Sequence, residues 1–224
     1  MTKKQIAAAA VERLKERYPE GICSLIADDP FRLLVAVRLS AQCTDARVNT
    51  VTPALFERFP DMAAFAAAEP HEVEPYIRSC GFYHSKAKNL KALAHEINSK
   101  HNGEVPRDKQ DLLLLSGVGE KTANVVLAEA FSVPAIAVDT HVFRVSNRLG
   151  LANHRNVLGT QRQLEKHIPK DFWIKAHHAL ILHGRYVCKS QRPDCKNCKL
   201  KKYCKHYEEK VLPNFGDRPA NNLK

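Results

Sequence analysis

The chain has 224 residues, 44% of them apolar and 26% charged, and 35 Lys and Arg against 24 Asp and Glu give a net charge of +11. That balance is globular rather than disordered or fibrous, and a chain of this length buries roughly 70–75% of the surface it exposes unfolded, so its core needs no disulfide framework. The longest purely aliphatic stretch, Leu33 to Val37, falls far short of the ~20 residues of a membrane span. The N-terminus mixes Glu12, Arg13 and Lys15 into its apolar residues and carries no signal-peptide core, so a soluble cytoplasmic protein is expected.

The apolar periodicity is helical almost throughout, and the expected fold class is all-α. Ile6, Ala9, Ala10, Leu14 and Tyr18 trace one amphipathic stripe that stops at Pro19 and Gly21. Asp29-Pro30 reads as a cap with proline at the first helical position. It opens Phe31 to Leu39, apolar on nearly every side, as in a central buried helix. Thr44 starts the next helix, with Val48, Val51, Leu55, Phe56 and Phe59 on one side. Short elements follow around Pro60 and Pro70, then a longer helix from about Ser85 to Lys100. Asp108 caps a short helix to Leu115, and others are expected over Glu120 to Ala130, about 140–149 and 155–167, and from about Phe172 to Cys188. No strand alternation or fixed-period repeat is present. Residues 208–224, with two prolines and two adjacent asparagines, read as a mobile tail.

Charge is concentrated near the end. From Cys188 to Lys205 seven basic residues face one acid, Asp194, a net of +6. Such a field attracts a phosphate backbone in a salt-dependent way. Four cysteines lie in the same stretch, as Cys188-x6-Cys195-x2-Cys198-x5-Cys204. In a cytoplasmic setting such a group binds metal rather than forming disulfides. The segment has too few apolar residues to fold alone, and ligation would supply the missing stabilisation. Thiolate suits both Zn²⁺ and an iron–sulfur cluster, and the spacing leaves both open. Cys23, Cys43 and Cys80 stand singly and read as small buried hydrophobes.

Leu115-Ser-Gly-Val-Gly-Glu-Lys-Thr-Ala123 lies between two helical patterns. Gly117 and Gly119 permit a tight reversal that presents backbone N–H groups at a helix start, an anion site suited to a DNA phosphate. Ala123, Val126, Leu127 and Ala130 form the inward face, which leaves Lys121 at the mouth of the turn. The positive end of the helix and partial burial would both disfavour its ammonium form, as a nucleophilic lysine requires. Further on, Asp139 ends the apolar run Pro134 to Val138 and starts a helix. It reads as an N-cap, and a carboxylate fixed in that way could also stabilise positive charge developing on a sugar.

These residues together resemble the endonuclease III family, helix-hairpin-helix DNA glycosylases with a [4Fe–4S] cluster. The resemblance rests on Leu115-Ser-Gly-Val-Gly-Glu-Lys-Thr-Ala-Asn-Val-Val-Leu127, Val138-Asp-Thr-His-Val-Phe-Arg-Val145 and the four-cysteine pattern, in the family's order, and it runs from near residue 5 to about 207. It implies two helical domains flanking a DNA-binding cleft. One is a barrel over 23–133 with the hairpin at about 108–130; the other, of 1–22 and 134–207, is closed by the cluster. Lys121 matches the family's nucleophile, Asp139 its catalytic aspartate, and Cys188, Cys195, Cys198 and Cys204 its cluster ligands. Gly117, Val118 and Gly119 match the DNA-binding hairpin, and Lys189 and Arg192 the DNA-contacting loop. Gln42, in Leu39-Ser-Ala-Gln-Cys-Thr-Asp45, matches the residue that fills the gap left by a flipped nucleotide. Phe82 stands where the family usually has a wedging leucine. His141 is a further DNA-contact candidate, whereas His177, His178 and His183 read as packing or surface residues.

The family commonly has Pro where Ser116 stands and Arg where Glu120 stands. The first change implies a looser turn, and the second a weaker local DNA contact with a more readily protonated Lys121. The implied activity is base-excision repair by a bifunctional DNA glycosylase/AP lyase. It would remove damaged pyrimidines from duplex DNA through a lysine Schiff base and cut the strand 3′ to the lesion by β-elimination. The related adenine-glycosylase branch generally lacks the lysine and carries an additional C-terminal domain; Lys121 and the length of 224 residues favour the bifunctional branch. The implied cofactor is a [4Fe–4S] cluster and the implied partner is damaged or abasic double-stranded DNA. No membrane is involved, a monomer is expected, and in a bacterium the protein would be nucleoid-associated.

Overall fold

The structure, a computed structural model, describes residues 3–19 and 22–215. Its main helices are α1 (Lys3–Arg17), α2 (Pro30–Leu39), α3 (Asp45–Arg58), α4 (Met62–Ala67), α5 (Pro70–Ile77), α6 (Tyr83–Lys100), α7 (Lys109–Leu114), α8 (Glu120–Phe131), α9 (Thr140–Leu149), α10 (Val157–His167) and α11 (Trp173–Tyr186). Among the described residues no strand forms, as the periodicity requires. None of their helices is long and apolar enough to cross a membrane. The chain divides into two compact units, Cys23–Ala135 and Met1–Ile22 with Ile136–Lys224.

In the unit of 23–135, α2 is the central helix. Asp29 Oδ1 accepts from Arg32 N at 2.9 Å, Pro30 sets the first turn, and Leu33 to Val37 and Leu39 are buried. Thr44, Asp61 and Asp108 cap α3, α4 and α7 by the same side-chain-to-backbone bond. Phe31, Phe56, Phe59, Phe65 and Tyr76 meet with ring centroids 5.2 to 6.3 Å apart and tie α2 to α3, α4 and α5. Helix α6 packs on α4 and α5, and α8 on α2 and α7. It starts two residues before the expected Ser85 because Phe82, in the left-handed conformation, accepts from Lys86 N at 3.0 Å and begins the helix itself. Cys80 is buried in this unit, while Cys23 and Cys43 are only half-buried.

The other unit is built around α11, against which α1 and α9 pack. Its core joins Ala10 and Leu14 of α1, Ile136 and Val138 of the extended segment, Val142, Val145 and Leu149 of α9, and Ala176, Ala179 and Leu180 of α11. His177, His178 and His183 are all buried here, so the surface alternative for them is set aside. The tail expected from residue 208 is helical as far as 215, in a π turn over Tyr207–Val211 and a 3-10 turn over Leu212–Phe215. Glu208 N bonds Cys204 O at 3.1 Å and Lys205 approaches Glu209 at 3.8 Å, which carries helical geometry past the last cysteine. The rest of that expected tail, 216–224, lies outside the described residues.

Candidate nucleic-acid interface and metal centre

The turn between α7 and α8 is closed by Val118 N, which donates to Leu115 O at 3.0 Å. Gly117 has φ +71°, a left-handed value that favours glycine, and a Cβ there would collide with the Arg38 guanidinium. That space is taken because Arg38, at the end of α2, donates to the Gly117 carbonyl. Ser116 is fixed from α6: its N–H and hydroxyl donate to the two oxygens of Glu96, each at 2.6 Å. Burial raises the Glu96 carboxyl, but those bonds outweigh it and hold the group below its ordinary value. At the position where a looser turn is expected from Ser116, this polar clamp stands in place of a proline ring. Glu120 is also answered within the hairpin, by Lys109 Nζ at 2.8 Å, which offsets the negative charge expected to weaken an anion contact.

Gly119 caps α8 without a side-chain bond. Gly117 and Gly119 are exposed, whereas Val118 is turned inward, with its N–H taken by the turn. Lys121 sits in the first turn of α8 and is exposed. The partial burial expected of it is thus absent: the inward face belongs to Ala123, Val126 and Leu127.

Gln42 and Phe82 follow the ends of α2 and of a 3-10 turn, Arg78–Cys80. Both are exposed, and both have left-handed backbone, with φ +54° and +49°. Among the described residues only three others without glycine share that region: Asn102, Ser132 and Arg192. Three of the five are thus residues for which DNA contact is expected. A non-glycine residue held there costs about 1–3 kcal/mol and persists only where its surroundings fix it, a pattern concentrated at functional sites.

In the other unit, Asp139 caps α9, its Oδ1 accepting from Val142 N at 2.7 Å. His141 is half-buried in the first turn and faces Arg144, with Nη2 and Nδ1 3.1 Å apart. Arg144 also donates to Gly184 O at 3.0 Å and to Cys188 O at 3.1 Å, fastening α9 to the end of α11. Lys189 and Arg192 are exposed on the loop after Cys188. Arg148 spans that loop from inside, donating to Lys189 O at 2.7 Å and Ser190 O at 3.0 Å.

All four cysteines, Cys188, Cys195, Cys198 and Cys204, line one cavity with Leu149 and Val187. Burial pushes the Cys204 thiol up to about 11 and also raises Cys195 and Cys198. Two polar side chains face the sulfurs: Arg148 Nη1 donates to Cys188 at 3.5 Å, and His183 Nε2 lies 3.6 Å from Cys198. Burial and the charge of Arg17 bring His183 down to about 4. Among the described residues no three of these sulfurs lie within 4.8 Å of one another. A single Zn²⁺, with Zn–S of about 2.3 Å, would draw its ligands to about 3.8 Å apart. Thiolate donors of this kind suit either an iron–sulfur cluster or a metal ion.

Arg38, Glu96 and Arg148 were not singled out in the sequence. The only local signal was a cation in the last turn of an apolar helix, for Arg38 and Arg148; nothing local marks Glu96.

Residues 35–170 match the model of the HhH-GPD superfamily base excision DNA repair protein. The chain is 45% identical over 201 residues to endonuclease III of Bacillus subtilis, covering 89% of this chain and 92% of that protein. It is 45% identical over 199 residues to endonuclease III of Escherichia coli, covering 89% and 94%. Among solved structures it is similar to a trapped endonuclease III–DNA covalent intermediate, with a TM-score of 0.87 and 47% identity over 93% of this chain and 98% of that one. It is likewise similar to a non-covalent endonuclease III–DNA complex, with a TM-score of 0.88 and 46% identity over 95% and 99%.

Proposed function

From the premise that the chain belongs to the endonuclease III family of the HhH-GPD superfamily, we propose that Lys121 and Asp139 carry its glycosylase and lyase chemistry. The protein is a base-excision-repair DNA glycosylase and AP lyase, and its partner is duplex DNA containing damaged pyrimidines or abasic sites. The damaged nucleotide is turned out of the stack. Lys121 Nζ attacks the sugar C1′ as the glycosidic bond breaks and the base departs with its electron pair. The Asp139 carboxylate, fixed by Val142 N, stabilises the positive charge that develops on the sugar and assists proton transfer. The amine then loses a proton and the C1′–O4′ bond opens, O4′ taking a proton, to give an imine that acidifies the C2′ hydrogen; loss of that proton expels the 3′ phosphate and cuts the strand 3′ to the lesion.

The observation that carries this reading is the exposed amine of Lys121 on the first turn of α8, directly after a turn whose Gly117 and Gly119 face solvent. Gln42 and Phe82 fill the gap in the duplex, and Lys189, Arg192 and His141 contact its backbone. Cys188, Cys195, Cys198 and Cys204 hold a [4Fe–4S] cluster, whose chemistry is structural: it shapes the basic loop. The domains of the reading are 23–133 and 1–22 with 134–207. Its substrate puts its work with chromosomal DNA, in the cytoplasm.

Borohydride trapping on a duplex with one thymine glycol tests the reading. Wild type should give a covalent protein–DNA band that Lys121→Gln lacks while still binding the duplex. A trapped band from that variant would overturn the role of Lys121. Absence of any band from cluster-loaded wild type, both on thymine glycol and on a plain abasic site, would overturn the lyase reading.

A further inference from the structure

Lys86 is the one lysine among the described residues that is buried, at 8% exposure. It projects from α6 and donates to two carbonyls, Leu39 O and Cys80 O, each at 2.8 Å. Leu39 is the last residue of α2, three before Gln42; Cys80 closes the 3-10 turn two residues before Phe82. One ammonium thus joins the bases of the two segments that end in exposed, left-handed residues. A buried cation is costly unless fully bonded, and burial lowers the affinity of this group for its proton, with nearby Cys80 and Cys43 opposing that and Arg38 adding to it. Methionine would fill the same space without a charge, so packing alone does not call for a lysine. What the ammonium adds is direction: it takes one carbonyl from each segment and fixes their separation.

We propose that Lys86 is a positioning residue for lesion recognition, holding the backbones of Gln42 and Phe82 at the spacing needed to enter a duplex together. This inference rests on the gap-filling reading of those two residues. The same two helices also hold the hairpin, α2 through Arg38 on Gly117 and α6 through Glu96 on Ser116. Within the unit of 23–135, α2 and α6 therefore form one frame for the turn, the Gln42 segment and the Phe82 segment. Lys86 is the tie in that frame that serves only the latter two.

The test separates reactions that need a gap filled from one that does not. Lys86→Met should lower thymine glycol excision from duplex DNA by at least about tenfold, or about 1.4 kcal/mol of transition-state stabilisation. Cleavage at an abasic site in single-stranded DNA, which has no stack to enter, should change by less than about twofold. Lys86→Arg, which restores two donors, should recover most of the duplex activity. If the methionine variant does not fold, Lys86→Gln, which keeps an amide donor on a shorter stem, should show the same split. Equal losses on both substrates would mean a merely structural role and overturn the proposal, as would no loss on either. Gln42→Ala and Phe82→Ala are measured alongside. If both keep wild-type duplex activity, the gap-filling reading itself fails; if they lose it while Lys86→Met does not, only the positioning role fails.

Discussion

Between α7 and α8 the chain is held by its own side chains: Glu96 on Ser116, Arg38 on Gly117, and Lys109 on Glu120. Between Cys188 and Cys204 the protein's own ties hold the start of the loop and its small turns: Arg144 bonds Cys188 O, and Lys201 Nζ bonds Lys196 O. Arg148 grips two carbonyls at the start of the loop, and Asp194 bonds Asn197, while the sulfurs face a shared cavity in which Arg148 lies against Cys188 and His183 against Cys198. Both regions are proposed to meet DNA. The first is a product of helix packing and needs nothing from outside. The second has a basic sequence with little apolar material, so its shape depends on what the four thiols bind.

The largest expected effect comes from breaking the second region. Cys204→Ser should lower iron content and DNA affinity, the latter by at least about tenfold, because structural metal ligation contributes on the order of 10 kcal/mol to small metal-bound segments. Iron assay and binding titration of the purified variant check this. Full affinity in an iron-free variant would show that Arg148 alone shapes the loop, and the contrast drawn above would collapse.

Gly117→Ala attacks the first region at its tightest point. The left-handed φ and the displaced Arg38 guanidinium together should cost about 2 kcal/mol, a fall in melting temperature of roughly 4–8 °C for a chain of this size. DNA affinity should fall with it while iron content stays at the wild-type level. A melting curve and an iron assay on the same sample separate the two regions.

Glu96→Gln is a smaller and pH-dependent perturbation. The Glu96 carboxyl in the folded protein lies below its ordinary value of 4.5: burial would raise it, and the Ser116 bonds overcome that. A depressed carboxylate contributes stability that is fully present above the unfolded value and is lost as pH falls from about 4.5 through the folded one. The glutamine variant should therefore be less stable by about 1 kcal/mol at neutral pH. The difference from wild type should shrink on acidification below pH 4.5. A constant difference from pH 7 to 3 would place the stabilisation elsewhere than in the charged form.

Much of the fold was legible in the sequence because its signals are local. Asp29, Thr44, Asp108 and Asp139 each cap the helix they precede, and Gly117 turns where the pattern breaks. The early start of α6 is not legible, because nothing about a phenylalanine announces a left-handed residue. The four cysteines group by spacing, whereas the cavity they share with Leu149 and Val187 depends on long-range packing. The clamps were not legible at all. Arg38 reaches Gly117 across 79 positions, Lys86 reaches Leu39 across 47, and Glu96 reaches Ser116 across 20. A lone Lys or Glu on a helix gives no periodic signal, since its meaning lies in which distant carbonyl or hydroxyl the fold delivers to it.

The left-handed backbone at Gln42 and Phe82 bears on how this protein could change over time. Glycine would relax either position, and selection for thermal robustness alone would favour that exchange. Selection for finding lesions would oppose it, since glycine has nothing to push into a duplex. At these two sites a more durable molecule and a more capable one lie in opposite directions, so a stabilised lineage that retained repair would have to gain its margin elsewhere.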